Sequence, residues 1–231
     1  MKFINLYKNT PNKDLIFRNI KSLVENNNLV GGKEVKNFEK NFSKYVKSKY
    51  CISVANGTDA LEIAIESLNL PKNSEAIVPV NTWISTAEAV IRNGLKLVFC
   101  DINPENYTID INDLKKRITK KTKLILPVHL YGIPSSMKEI IGIAKKNNIK
   151  IVEDCAQAHG SKINNKHMGT FGDIGAFSFF PSKNLGCFGD GGAIITNNKK
   201  LDTICRRIKN HGSLHKHDHK IIGRNSRLDS I

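Results

Sequence analysis

From Tyr50 onward, short apolar runs alternate with amphipathic ones, and this alternation constrains the fold more than any other feature of the chain. The runs at 51–55, 76–80, 96–100, 123–128 and 150–153 are rich in Val, Ile and Leu, as buried strands are. Between them, 59–68, 85–92, 112–117 and 137–146 carry helical spacing. Strands joined through helices run parallel and need helices on both faces of the sheet. Beyond Asp154 the rhythm changes: 176–180 and 193–196 read as strands with no helix between them, so the sheet should be mixed. Two helices precede the sheet, at 14–25 and at 35–46, where Val35, Phe38, Phe42 and Val46 form one apolar stripe. The expected fold is α/β, a three-layer α/β/α sandwich around a mostly parallel mixed sheet. No internal repeat or low-complexity linker divides it.

At 231 residues the chain is long enough for one substantial core. No apolar run reaches the roughly 18–20 residues of a membrane helix. Residues 1–8 lack the apolar centre of a signal peptide, which points to the cytoplasm. Cys51, Cys100, Cys155, Cys187 and Cys205 are odd in number and scattered, with no CxxC pair, so reduced thiols fit better than a disulfide framework or a zinc site. The net charge of +15 raises nucleic acid as a partner, but the lysines are dispersed, often beside asparagine, and no basic strip with interleaved aromatics occurs. The milder implication is attraction toward anionic metabolites. His211, His215, His217 and His219 alternate with charged residues as a solvated loop does, and no metal site is expected.

Chemistry concentrates where strands should end. Asp154 closes the strand at 150–153, and Lys183 follows 29 residues later in a turn flanked by Pro181 and a run of glycines. A lysine amine that holds an aldehyde as a Schiff base, paired with a carboxylate that keeps a pyridine nitrogen protonated, is what pyridoxal phosphate requires. Gly57 and Thr58 open a helix after the first strand, as a phosphate cradle does and as an ordinary helix start capped by Thr58 or Asp59 also does. Trp83, the only tryptophan, follows the second strand and suits either ring stacking or a core position. Gln157 and His159 follow Asp154 as a polar wall. Ser178 interrupts an apolar strand, with either a ligand phosphate or the backbone as its partner. Gly169, Gly172 and Gly175 recur at regular spacing and read as tight turns. No GxGxxG or Walker pattern and no hydrolase triad is present.

Five segments, in order, then make the chain resemble the DegT/DnrJ/EryC1/StrS family of pyridoxal-phosphate-dependent sugar aminotransferases. They are Val54-Ala-Asn-Gly-Thr-Asp-Ala-Leu61, Asn81-Thr-Trp-Ile84, Pro127-Val-His-Leu-Tyr-Gly132, Glu153-Asp-Cys-Ala-Gln-Ala-His-Gly160 and Phe177-Ser-Phe-Phe-Pro-Ser-Lys-Asn-Leu-Gly186. The resemblance runs from Gly31 to Ile231 and implies the large domain of a fold-type I transferase. It assigns the Schiff base and the proton shuttle to Lys183, the pyridinium contact to Asp154 and ring stacking to Trp83. Gln157 would approach the ring hydroxyl, and Gly57, Thr58 and Ser178 would hold the phosphate. Asn225 would reach the cofactor of a neighbouring subunit, which implies a homodimer with shared sites.

The implied reaction moves an amino group from an amino acid, L-glutamate, to a nucleotide-linked keto sugar, a dTDP-3-keto-6-deoxyhexose, for surface polysaccharide such as O-antigen. A 4-keto acceptor, a non-catalytic cofactor-binding protein and an inactive truncated paralogue are the alternatives. Lys183 stands against the related dehydratases, in which a histidine replaces the lysine. Two departures stand out. Phe180 occupies a position where many relatives acting on 3-keto sugars carry tyrosine, and the C-terminal small domain is absent after a stretch, 228–231, that reads as the opening of a helix. Residues 1–231 are therefore expected to comprise an N-terminal arm and the cofactor-binding domain of a truncated chain.

Overall fold

The computed structural model describes residues 5, 8 and 10–231, so most of the stretch 1–8 read for a signal peptide lies outside the described residues. Two helices, α1 (Lys13–Glu25) and α2 (Gly32–Val46), lead into β1 (Tyr50–Val54). There follow α3 (Gly57–Ser67), β2 (Glu75–Pro79), α4 (Ile84–Arg92), β3 (Lys96–Cys100), α5 (Ile111–Arg117), β4 (Thr122–Ile125), α6 (Met137–Asn147) and β5 (Lys150–Asp154). A small hairpin of β6 (Lys162–Ile163) and β7 (Lys166–His167) precedes β8 (Ile174–Ser178), β9 (Gly192–Thr196) and α7 (Lys199–Ile208). Each strand and helix expected between residues 14 and 196 is present, with ends moved by at most three residues. The hairpin and α7 were not expected: strands of two residues are too short to show a period, whereas Leu201, Cys205 and Ile208 do fall at helical spacing and were the available signal for α7.

The strands form one sheet in the order β1-β9-β8-β5-β4-β2-β3. β9 runs antiparallel to both its neighbours, and every other adjacent pair is parallel. The expected mostly parallel mixed sheet is therefore observed, its mixed character due to the β8–β9 hairpin that displays Lys183. Two apolar clusters make the sandwich. One packs α3, α4 and α7 against the side chains of Ile52, Val54, Val78, Leu124, Val152 and Ala176. The other packs α2, α5 and α6 against Cys51, Ile77, Ile125, Ile151 and Phe177. Neighbouring strand residues thus fall in opposite clusters, as the period of two requires.

β1 is an edge strand, and its outward backbone groups are taken up by charged side chains. Glu39 of α2 accepts from the Ser53 amide and hydroxyl at 2.9 and 2.8 Å. Arg206 and Lys209 of α7 donate to the carbonyls of Cys51 and Ser53 at 2.7 and 2.6 Å. Glu39 in turn pairs with Arg206 at 2.9 Å and Lys209 at 3.5 Å. This network closes the edge against further strand pairing and ties the two helical layers together around it.

Residues 228–231 do not open a helix. Asp229 pairs with Val30 in an isolated bridge, and Ser230 donates to the Leu29 carbonyl at 3.0 Å and to the Gly31 carbonyl at 2.6 Å. Backbone groups committed to a distant segment in this way are not free to form a helical turn.

Replacing Glu39 by Ala leaves the Ser53 amide without its acceptor and takes one carboxylate partner from Arg206 and Lys209, so the chain should lose about 2 kcal/mol of stability. Urea unfolding measures this directly, and a loss below about 0.5 kcal/mol would show that water replaces the network at no net cost.

Candidate functional site

A cleft of about 510 Å³ opens at the carboxyl ends of the parallel strands, on the face covered by α3 and α4. Asn56, Gly57 and Thr58 come from the β1–α3 turn, Thr82, Trp83, Ser85 and Thr86 from the β2–α4 turn, and Val128 and Leu130 from the segment after β4. Asp154, Ala156 and Gln157 end β5, Ser178 ends β8, and Phe180, Ser182, Lys183 and Asp190 belong to the β8–β9 loop. This is where an open parallel sheet gathers its ligands.

Asp154 lies on the cleft floor, 5% exposed. Strand alternation turns Glu153 to the opposite face. The Asp154 Oδ2 accepts from the Thr86 hydroxyl at 2.7 Å, and its Oδ1 accepts from the Ala156 amide at 3.0 Å. Lys183 is half-buried, its amide donating to the Phe180 carbonyl at 2.8 Å in the turn that displays it. Among the described residues no carboxylate pairs with its Nζ. Lys183 lines both the cleft and an adjoining depression of about 240 Å³, which it shares with Tyr131, Gln157, Ser182 and Asn184.

Gly57 and Ser178 touch. A Cβ on Gly57 would lie 2.6 Å from the Ser178 Cβ, so only glycine lets the start of α3 approach β8 this closely. The cap of α3 is neither Thr58 nor Asp59: Asn56 accepts from the Asp59 amide at 2.8 Å and leaves the Thr58 hydroxyl to bond Ser85 at 2.9 Å. Asn56 precedes the first helical residue with an extended backbone, as the cap position requires, and its side-chain oxygen reaches the third amide of the helix. Ser178 does have a backbone partner, the Phe180 amide at 3.3 Å, and still lines the cleft.

Trp83 is not a core residue. It stands at the mouth of the cleft, 73% exposed, immediately before α4. The Gln157 Oε1 accepts from the Tyr131 amide at 2.7 Å and supports Tyr131 in a left-handed conformation. Its amide nitrogen is left for other partners. Asn225 does not line the cleft. It is exposed on the surface and pairs with Asn210 in an isolated bridge. His211, His215, His217 and His219 are all exposed.

Three residues unmarked in the sequence stand behind the site. Glu153, fully buried, accepts from the amides of Gly169, Phe171 and Gly172 and from His129 Nε2 at 2.6 to 3.0 Å. The Ser135 amide donates to His129 Nδ1 at 3.1 Å, which fixes the proton on Nε2. Cys155 lies close to both, its thiol pushed well up by burial and by the neighbouring carboxylates. A protonated thiol beside a carboxylate already saturated by donors is a structural network rather than a set of metal ligands. Two of the regularly spaced glycines, Gly169 and Gly172, thus serve as amide donors, and Gly175 lies so close to Gly169 that a Cβ would stand 2.5 Å from its backbone. An acid inside an apolar strand was the available signal for Glu153.

His159 packs against Phe177 and Phe179, ring centroids 5.5 and 5.6 Å away, and neither ring nitrogen has a partner in hydrogen-bonding geometry. Burial pushes its pKa down to about 4, against a smaller opposing pull from the Ser178 backbone, and the Lys183 charge lowers it further.

A family model described as the DegT/DnrJ/EryC1/StrS aminotransferase family matches residues 12–231. The chain is 41% identical over 221 residues to the UDP-N-acetyl-3-dehydro-alpha-D-glucosamine 3-aminotransferase of Acidithiobacillus ferrooxidans, covering 96% of this chain and 60% of that protein. It is 44% identical over 203 residues to the dTDP-3-amino-3,6-dideoxy-alpha-D-galactopyranose transaminase of Aneurinibacillus thermoaerophilus, covering 88% and 56% respectively. A solved structure of NtdA from Bacillus subtilis with bound cofactor PMP superposes with a TM-score of 0.93 at 34% identity, covering all of this chain and 53% of that one. The chain therefore spans about three fifths of the length of the curated relatives it matches.

Because the folded pKa of His159 lies below its unfolded value, the unfolded chain binds the extra proton as pH falls. The stability held above pH 6.5 should be lost progressively down to about pH 4, by up to about 3 kcal/mol. Urea titrations across that range should show a flatter profile for His159→Phe. An identical slope in the variant would contradict the assignment.

Proposed function

Because the chain belongs to the DegT/DnrJ/EryC1/StrS aminotransferase family, we propose that it is the cofactor-binding part of a pyridoxal-phosphate-dependent aminotransferase. The enzyme would move an amino group from L-glutamate to a nucleotide-linked keto sugar. One observation carries the reading: a single cleft unites the buried Asp154 carboxylate with the Lys183 amine, which no carboxylate pairs among the described residues. In this proposal residues 1–231 are the N-terminal arm and cofactor domain, and a C-terminal small domain belongs to the additional length the relatives have.

The residues suit the cofactor's dimensions and polarity. The first turn of α3, with Gly57 against Ser178 and the Thr58 hydroxyl nearby, offers amides and hydroxyls to a phosphate. Trp83 offers a broad exposed face to a planar ring. Asp154 keeps lone pairs toward the cleft for a protonated ring nitrogen, since each of its oxygens has one internal donor. Among the described residues nothing bonds the Gln157 NH₂, which suits the ring hydroxyl. When bound, pyridoxal phosphate supplies an electrophilic aldehyde and an electron-accepting ring. Lys183 then has two duties, to hold that aldehyde covalently and, once released, to carry the proton at the amino-bearing carbon. The depression beside it lies where a substrate would approach the amine.

The acceptor we favour is a dTDP-3-keto-6-deoxyhexose destined for a surface polysaccharide such as O-antigen, with a 4-keto sugar as the alternative. The names of the relatives support a 3-keto sugar nucleotide. A homodimer with Asn225 contributing to its partner's site is supported by the exposure of Asn225 and by the uncovered apolar residues Leu15, Val24, Val30 and Ile222. A cytoplasmic location is supported by five free cysteines.

Adding pyridoxal phosphate to the purified protein should produce a visible band, and borohydride should fix a pyridoxyl group on Lys183. Lys183→Ala should lack both. Label spread over surface lysines, or retained by Lys183→Ala, would refute the assignment.

A further inference from the structure

Thr86 lies in the first turn of α4, fully buried, and its hydroxyl reaches two groups at once: Asp154 Oδ2 at 2.7 Å and the Thr82 hydroxyl at 2.8 Å. A threonine hydroxyl has one hydrogen. The Thr86 hydrogen is given to Asp154 Oδ2, so Thr82 must donate to Thr86. The chain of hydrogen bonds therefore has one direction, from Thr82 at the cleft wall to Thr86 to Asp154.

We propose that Thr82 and Thr86 are positioning residues for the ring-nitrogen carboxylate, a hydroxyl relay that holds Asp154 turned toward the cofactor. This rests on the reading of Asp154 given above. The placement follows from the chain: Thr82 precedes Trp83 and Thr86 follows it by three, so the first turn of α4 brings two hydroxyls to one side while Trp83 faces the cleft. The Ala156 amide fixes Oδ1 from within the same strand end, and Thr86 fixes Oδ2 from a different helix. The carboxylate is thus held at both oxygens by groups on separate elements. The one remaining lone pair on each oxygen is directed by those two bonds. Because Thr82 spends its hydrogen inward, it offers the cleft an acceptor and no donor.

The test uses Thr86→Val, which keeps the shape and removes the hydroxyl, and Thr86→Ser, which restores it. Pyridoxal phosphate is the probe and its dissociation constant, followed by absorbance, is the readout. Removing a hydrogen bond to a buried charge should weaken binding roughly tenfold in Thr86→Val, with Thr86→Ser close to the wild type. In an Asp154→Ala background, Thr86→Val should have no further effect. A tenfold loss that persists in that background would mean that Thr86 acts through the packing of α4, and no loss in the single variant would mean that the hydroxyl is idle. Either result overturns the relay. Borohydride labelling of Lys183 in the wild type separates this from the wider reading: labelled Lys183 with an unaffected Thr86→Val defeats the relay alone, and no label defeats both.

Discussion

Everything at the site depends on how β5 ends. Glu153 and Asp154 are neighbours on one strand, so their side chains leave on opposite faces. Glu153 is a buried charge whose cost is offset by three amides of the 169–172 turn and by His129. That arrangement anchors the loop returning to β8 and binds it to the segment after β4. With Glu153 so held, the strand end cannot rotate, and Asp154 is delivered to the cleft side together with the ends of β1 and β8. The acid that does not face the cleft is what makes the position of the other reproducible.

The second constraint is the hairpin that carries Lys183. A parallel sheet alone would have followed β8 with a helix, as it does β1, β2 and β4. Here β9 returns antiparallel, so the connecting residues stay at the carboxyl edge and Lys183 is displayed over the cleft instead of on a helix face. Gly57 against Ser178 completes the enclosure from the other side, since the start of α3 can approach β8 only without a side chain. Three elements distant in sequence thereby converge on a volume of about 510 Å³.

Much of this was legible in the sequence because it follows from periodicity. The alternation of runs from Tyr50 to Asp154 reports burial on both faces, and the change of rhythm after Asp154 reports the hairpin. Asp154, Lys183, Gly57 and Trp83 were visible because each is an unusual residue at the end of a strand. What escaped was contact between elements. Thr86 reads as an ordinary helix residue until α4 is packed against β5, and His129 has meaning only beside Glu153. The cap of α3 escaped by two residues, because Asn56, Thr58 and Asp59 all suit a helix start and only the backbone angles decide. The tie between 228–231 and 29–31 joins segments about 200 residues apart, and no local pattern announces it.

The central claim is that Asp154 faces the cofactor's ring nitrogen and keeps it protonated. The most direct measurement is the ¹⁵N chemical shift of pyridoxal phosphate labelled at that nitrogen and bound to the protein. The shift of a protonated pyridine is expected in the wild type and that of an unprotonated one in Asp154→Ala. The same shift in both proteins would contradict it.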